Sequence, residues 1–154
     1  MSDLLVRWAT RWDRKAVVQG LLALAREQGA EAEADALGAA FDYSLSSPRT
    51  SRFAVAERAG RVVATASLHE GFSVRENCAF GIVQDLWVQP GEQQAETAAE
   101  LLSLLLGEAR RRGHCRVELQ VAEEDDAAWH LYESCGFRFT GQLVYAKELQ
   151  ESPS

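Results

Sequence analysis

The sequence has only three cysteines, Cys78, Cys115 and Cys135, and no two of them stand in a CxxC spacing. An odd number of cysteines without that spacing argues against a disulfide framework and against a zinc site. We therefore expect three small buried thiols and no metal site.

Long apolar runs and an apolar leader are also missing. No run approaches the roughly 20 residues that a membrane-spanning helix needs. The first residues, MSDLLVRWATRWD, carry charges and lack the apolar core of a cleavable signal peptide. We expect a cytoplasmic protein without a membrane partner.

Positive charge is scarce, with 16 Lys and Arg against 23 Asp and Glu and a formal net charge of −7. A nucleic-acid partner requires a basic face. The basic cluster at 110–112 lies at the end of a predicted helix, where the helix dipole favours cations. We therefore expect no nucleic-acid partner, and the acidic balance is compatible with a cationic substrate such as an amine.

The length and composition are those of a single domain. The chain has 154 residues, of which 47% are hydrophobic and 25% are charged, enough for one ordinary core. It contains no internal repeat and no linker. We expect one domain over residues 1–149 and a flexible tail at 150–154.

Hydrophobic periodicity predicts the element order β-α-α-β-β-β-α-β-α-β-β. Apolar residues at helical spacing predict helices at about 13–28, 31–47 and 93–112, and a short helix capped by Asp125. Asp13 is the expected cap of the first helix. Extended runs predict strands at 4–10, 52–70 (a hairpin), 78–88, 114–121, 137–141 and 142–149, with a loop at 71–78. Because 78–121 forms a βαβ crossover, we expect an α/β (α+β) mixed sheet with helices on both faces.

Three stretches carry a resemblance to a known family: VQDLWVQP, QQAETAAELLSLLLGEARRRG and DDAAWHLYESCGFRFTG. The third is the most specific. It matches the pattern N-x-x-A-x-x-L-Y-E-x-x-G-F at Asp125, Ala128, Leu131, Tyr132, Glu133, Gly136 and Phe137. Over nearly its whole length the chain resembles the GNAT superfamily of N-acetyltransferases, which implies the acyl-CoA N-acyltransferase fold.

The resemblance implies that acetyl-CoA is the cosubstrate and lies where strand 78–88 parts from strand 114–121. Main-chain groups of Leu86, Trp87 and Val88 would bind the pantetheine arm like an added strand. Amide hydrogens at the start of helix 93–112 would bind the pyrophosphate. The implied cofactor set is completed by the loop residues Gln93, Gln94, Ala95, Glu96, Thr97 and Ala98 and by Asp125.

Glu96 departs from the family loop, R/Q-x-x-G-x-G/A, because it stands where the pattern has a glycine. A β-carbon there obstructs a close ligand, and a carboxylate repels a pyrophosphate. A side chain that points into water relieves both effects, and its charge then stabilises the first helical turn. A capped helix start without any ligand is the alternative.

The resemblance implies that Tyr132 protonates the departing thiolate or hydrogen-bonds to its sulfur, since a phenol keeps its proton at neutral pH. The alternative is an aromatic residue that only packs the last helix on the sheet. Gln84 stands where some members have a glutamate, so Asp85 becomes the candidate general base. The alternatives for this role are Glu118, His69 and Glu70.

The predicted function is transfer of an acetyl group from acetyl-CoA to a primary amine, on a small molecule or a peptide, by direct attack. The alternative is a catalytically inactive GNAT-like domain that serves as a binding or interaction module. A homodimer through sheet edges or the C-terminal strands is also compatible with the resemblance.

Overall fold

The computed structural model describes residues 3–150. Its strands are β1 (Leu4–Trp8), β2 (Ser51–Arg58), β3 (Arg61–Ser73), β4 (Cys78–Val88) and β5 (Val117–Leu119). They form one sheet in the order β1-β2-β3-β4-β5. The first four strands pair antiparallel, whereas β4 and β5 pair parallel through the predicted crossover. The mixed sheet confirms the predicted fold class.

The helices are α1 (Arg14–Glu27), α2 (Ala34–Ser46), α3 (Gln94–Arg111) and α4 (Asp126–Ser134). Helices α1 and α2 pack on one face of the sheet, where the rings of Phe41 and Phe53 lie 5.6 Å apart. Helix α3 covers the other face with three fully buried leucines, Leu101, Leu102 and Leu105. The predicted helices on both faces are therefore confirmed.

Asp13 does not cap α1 in the predicted way. A 3-10 turn, Arg11–Asp13, precedes the helix, and the Asp13 carboxylate accepts from the Thr10 N–H at 2.8 Å and pairs with Arg7 at 2.8 Å. The Thr10 hydroxyl accepts from the Trp12 N–H at 3.3 Å. The cap has moved to Thr10 because the extra turn begins three residues earlier than the periodic pattern.

Half of the predicted loop at 71–78 is strand. β3 continues to Ser73, which pairs with Cys78, so only residues 74–77 form the turn. Gly71 faces Phe80 across the pair, and a β-carbon at Gly71 would lie 2.7 Å from the Phe80 ring. The glycine that suggested a loop instead makes room for a cross-strand aromatic ring.

The two closing strands predicted at 137–141 and 142–149 are not formed, since no strand follows α4 within residues 3–150. The large apolar side chains of this segment are exposed: Phe139, Leu143, Val144, Tyr145 and Leu149. A strand requires a partner edge for its N–H and C=O groups. The available edge, β5, has three residues instead of the predicted eight. The predicted tail at 150–154 lies, from residue 151 onward, outside the described residues.

The cysteines also differ from expectation. Cys115 is exposed in the bend before β5, whereas Cys78 at the start of β4 and Cys135 directly after α4 are partly exposed. No group of three potential ligands among residues 3–150 could hold a metal ion. Within the same range no helix combines the length and apolarity needed to cross a bilayer.

Candidate active site

A bulge in β4 organises the site. Thr65 of β3 pairs with Trp87, whereas Ser67 pairs with Gln84. Between these two pairs β4 therefore has two residues, 85 and 86, where β3 has only residue 66. Asp85 lies within this extra step and has a φ of 57°, a region that few non-glycine residues adopt. One extra residue in one strand is the defining feature of a β-bulge.

The bulge reverses the alternation of side chains along β4. Val83 and Leu86 are three residues apart, yet both pack into the core cluster under α3. Asp85 instead lines a cavity on the face covered by α1 and α2. A regular strand would have turned Asp85 toward the same face as Val83, so the bulge gives Asp85 its place in this cavity.

β4 and β5 separate directly before this point. Their pairing is confined to Gly81–Val83 and Val117–Leu119. Leu86, Trp87 and Val88, the residues predicted for the pantetheine arm, follow in the stretch of β4 that has no β5 partner within residues 3–150. An unpaired strand edge can accept an extended ligand through its main-chain groups.

Trp87 carries a buried donor without an acceptor. The side chain packs beneath α1, where a β-carbon at Gly20 would lie 2.6 Å from the indole ring. The residue is 8% exposed, and its Nε1 has no hydrogen-bond partner within residues 3–150. A buried N–H without a partner is costly.

Tyr132 is half-buried on the opposite face of the sheet, in contact with the core cluster that includes Leu86. Its ring meets Phe137 edge-on at 6.0 Å, so it also packs, as expected for a helix on a sheet. The hydroxyl makes no hydrogen bond among the residues described. Burial, followed by the charges of Asp125 and Cys135, raises the pKa of Tyr132, so the phenol keeps its proton at neutral pH.

The start of α3 divides the predicted loop into two groups. Gln93, Gln94, Ala95 and Glu96 are exposed, whereas Thr97 and Ala98 are buried in the core. Gln93 stands at the N-cap position in an extended conformation, and its side chain makes no capping hydrogen bond. The first amide hydrogens of the helix therefore lack a side-chain acceptor, which is the condition for anion binding at a helix start.

Glu96 is not isolated at this helix start. With its amide oriented to donate, Gln93 contacts both oxygens of the Glu96 carboxylate, at 3.1 Å for Oε1. The neighbouring Gln94 side chain donates to the Gln89 carbonyl at 2.9 Å. The carboxylate is thus held at the solvent-facing mouth of α3.

Arg58 is a residue that sequence reasoning missed. It lies at the end of β2, and its Nε donates to Glu92 in the loop before α3 at 2.9 Å; its Nη1 pairs with Asp3. The loop has no basic residue of its own, and the cation comes from a strand 34 positions earlier. No local pattern in the sequence signals this contact.

The cavity that contains Asp85 has a volume of about 520 Å³ and opens to solvent on one side. α1, α2 and the adjoining strands form its walls. The apolar part includes Leu21, Leu24, Leu37 and Phe53, and the polar end includes His69 and Asp85. This size is within the range of cavities that bind small molecules.

His69 forms a short hydrogen-bond chain with Ser67. The Ser67 Oγ lies 2.8 Å from His69 Nε2 and donates to the Gln84 carbonyl at 3.1 Å. A serine hydroxyl has one hydrogen, so when it goes to the carbonyl, Nε2 must be the protonated ring nitrogen. The lone pair of His69 is then on Nδ1, the nitrogen without a hydrogen bond to Ser67.

The electrostatics of the pair suit acid–base work. Burial lowers the pKa of His69, and the charge of Asp85 opposes that shift, so the imidazole is neutral at pH 7. Burial raises the pKa of the Asp85 carboxyl, opposed by His69 and by the Ser67 hydroxyl. Asp85 stays accessible through the open side of the cavity, while the cavity walls remove part of its hydration.

The other predicted residues are engaged elsewhere. Glu70 contacts His114 at 2.7 Å and Arg49 at 3.2 Å, and the hydrogen bond with His114 is the main reason that its pKa is lowered. Glu118 pairs with Arg116 at 3.2 Å. Asp125 is exposed and accepts from the Ala128 N–H at 3.1 Å, which confirms its helix cap. None of the three lines the cavity of Asp85.

Several solved structures share this fold. A possible acetyltransferase from Clostridium difficile 630 is 20% identical, with a TM-score of 0.83 over 97% of this chain and 100% of that chain. The glucosamine-6-phosphate N-acetyltransferase from Arabidopsis thaliana is 18% identical, with a TM-score of 0.76 over 97% and 100% of the two chains. A predicted acetyltransferase with acetyl-CoA from Clostridium acetobutylicum is 18% identical, with a TM-score of 0.78 over 94% and 96%. At these identities the likeness concerns the fold.

The family assignment rests on the sequence match. No curated protein is matched by the chain. The model of the acetyltransferase (GNAT) family matches residues 18–137, which include the bulged strand, the crossover helix and the tyrosine-bearing helix. Fold and family match agree, and the chain belongs to the GNAT family of acetyltransferases.

Proposed function

We propose that the protein transfers an acetyl group from acetyl-CoA to a primary amine by direct attack. The observation that supports this most is the bulge at Asp85. It lies where β4 leaves β5, with a cavity and two titratable side chains on one face and a half-buried phenol on the other. An acyl donor between the strands would lie between an acceptor and an acid.

The residues present fit acetyl-CoA as cosubstrate. The edge of β4 at 86–88, which has no β5 partner, suits an amide-bearing arm. The uncapped start of α3 suits a pyrophosphate, with main-chain amides from 94–98 as its ligands. Arg58 adds a cation beside the loop, where it pairs with Glu92 and Asp3, and the Glu96 carboxylate at the helix start opposes binding.

Acetyl-CoA would supply an acetyl group activated as a thioester. The protein's own part begins with Asp85, which attracts the acceptor in its ammonium form. His69 takes the protons that nitrogen loses, one after the other, through Nδ1, directly or through a water molecule. The main-chain N–H at or near Val88 would stabilise negative charge on the thioester oxygen.

Tyr132 acts as the acid in the last step of the reaction. As the C–N bond forms and the C–S bond breaks, the phenol gives its proton to the leaving thiolate. Nitrogen loses two protons to solvent by way of His69, and Tyr132 regains from solvent the proton that it gave to sulfur, so that the reaction releases one proton in all. The raised pKa of Tyr132 keeps it in the acid form that this role requires.

The proposal is tested by two measurements on the full chain. Calorimetric titration with CoA should give a saturable heat, and CoA should raise the melting temperature by mass action. Thiol release from acetyl-CoA should then depend on an added primary amine and greatly exceed hydrolysis without it. Absence of amine-dependent thiol release across alkyl, arylalkyl, amino-acid and peptide amines would refute the enzyme.

The second candidate is a catalytically inactive binding domain, and the contact between Gln93 and Glu96 favours it. A carboxylate held at the mouth of α3 occupies the region where a pyrophosphate would bind. No change in melting temperature at millimolar CoA would support this candidate.

A further inference from the structure

The cavity beside Asp85 has a mainly apolar lining, and this lining bears on which amines could bind there. Its walls are mainly carbon: Leu21, Leu24, Ala25, Leu37, Ala40 and Phe53 contribute the apolar surface. Burial of such surface favours a ligand with an apolar body by about 25 cal/mol per Å². A sugar or a polyamine would bury little apolar surface against these walls.

The charged lining of the cavity is acidic. Among the lining residues in the described chain none is Lys or Arg, and Asp85 is the one formal charge at neutral pH. The arginines next to the lining residues Thr50 and Ser51 are engaged elsewhere, since Arg49 pairs with Glu70, and Arg52 lies over the Trp8 ring and pairs with Glu108. An acceptor with a carboxylate or a phosphate would find no counter-ion and would face the negative charge of Asp85.

We infer that the acceptor is a small primary amine on an apolar alkyl or arylalkyl body, without a carboxylate or a phosphate. This inference rests on the proposed function, because the cavity is taken as the acceptor site of the acetyl transfer. The ammonium lies at the Asp85 and His69 end, and the apolar body extends between α1 and α2. The volume of about 520 Å³ exceeds what a lysine side chain alone would fill.

A matched pair of ligands isolates the effect of the anion. 2-Phenylethylamine and phenylalanine have the same aromatic body and the same amine, and differ by one carboxylate. Calorimetric titration without acetyl-CoA should show that phenylethylamine binds at least about 10-fold more tightly, since an unpaired charge is costly in a low-dielectric site. With acetyl-CoA, kcat/KM should favour phenylethylamine by a similar or larger factor.

Thr50→Arg is the variant that reports on the missing counter-ion. Thr50 is exposed, lines the cavity and precedes Ser51, which pairs with His69 across β2 and β3. The carboxylate of an α-amino acid lies next to its amine, and hence near this end. T50R should raise the affinity for phenylalanine relative to phenylethylamine several-fold, because the added guanidinium attracts the carboxylate and acts on the two ammonium groups alike.

Leu24→Ser is the variant that reports on the apolar wall. Leu24 is only partly buried in α1, so the change is compatible with folding. It should weaken phenylethylamine several-fold and leave ethylamine, which does not reach the wall, almost unaffected.

The outcomes separate the inference from the proposed function. Phenylalanine binding as tightly as phenylethylamine, or no binding of either, overturns the inference whatever the transfer assay gives. Faster acetylation of a lysine-containing peptide than of phenylethylamine overturns it as well. Tight binding of phenylethylamine without any acetyl transfer supports the inference on ligand class and counts against the proposed reaction.

Discussion

Glu96→Gln is the substitution that tests how this protein binds a pyrophosphate. It removes the charge at the mouth of α3 while keeping the size of the side chain. Glu100 provides the matched control, because it is exposed on the same helix one turn further along. E100Q removes the same charge, about 6 Å further from the helix start.

The magnitude follows from Coulomb's law. At about 4 Å in water, each of two phosphate charges opposes the Glu96 carboxylate by about 1 kcal/mol. Screening at 0.15 M ionic strength, where the Debye length is about 8 Å, reduces the sum of roughly 2 kcal/mol to little more than 1 kcal/mol. E96Q should therefore tighten the Kd for CoA by about 5- to 8-fold. The same arithmetic at about 10 Å gives E100Q less than a 2-fold effect.

The assay is calorimetric titration of both variants and the parent protein with CoA, at 0.15 M and 1 M salt. The gain from E96Q should shrink to about 2- to 3-fold at 1 M salt, where the Debye length is about 3 Å. Glu96→Gly should also tighten binding, since it removes the β-carbon too. An E96Q variant that binds CoA more weakly than the parent, or no differently from E100Q, would refute this account of the loop.

Three further outcomes follow from the site and from its packing. The pH profile of kcat/KM should lose activity on the acid side with a midpoint below pH 6.5, because the pKa of His69 is lowered. In Asp85→Asn this midpoint should move to still lower pH, since the charge that raises the pKa of His69 is gone. Loss of D85N turnover at every pH would instead make Asp85 the base. Tyr132→Phe should lower kcat by roughly 10²-fold with little change in the CoA Kd, as stopped-flow and titration measurements would show. Gly20→Ala should lower the melting temperature, because the added β-carbon would lie 2.6 Å from the Trp87 ring. Gly107→Ala on α3, which has open space around it, should raise stability by about 0.5–1 kcal/mol. Equal effects of the two substitutions would contradict the packing of Trp87 against α1.

The fold could be predicted from the sequence where local signals and hydrophobic periodicity agree. The helix at 93–112 has a continuous apolar face, and the strand before it is rich in bulky residues, so the crossover follows from the chain alone. Asp125 and Gly136 mark both ends of α4 by their own cap chemistry, since Asp125 accepts from Ala128 N–H and Gly136 has a φ of 92°. These signals act within a few residues and need no tertiary partner.

The prediction of the last two strands was wrong because a strand does depend on a tertiary partner. Residues 137–149 have the composition of strands, but a strand exists only when another edge accepts its hydrogen bonds. The three-residue β5 offers too little edge, and no reading of residues 137–149 by themselves could show its length. β3, in contrast, continues past its predicted end because 71–73 pair with 78–80 of β4, where the Phe80 ring occupies the space next to Gly71.

For the active site, the sequence by itself determined the residue types: a tyrosine in a specific helix motif, an aspartate in a strand, and a helix start without glycines. Only the tertiary structure decided which of them meet. The bulge turns Asp85 toward His69 and away from the face of Tyr132, and β2 brings Arg58 to the loop before α3. Both depend on strand register, a relation between segments far apart in the chain, and a one-residue change in register reverses the face on which every later side chain lies.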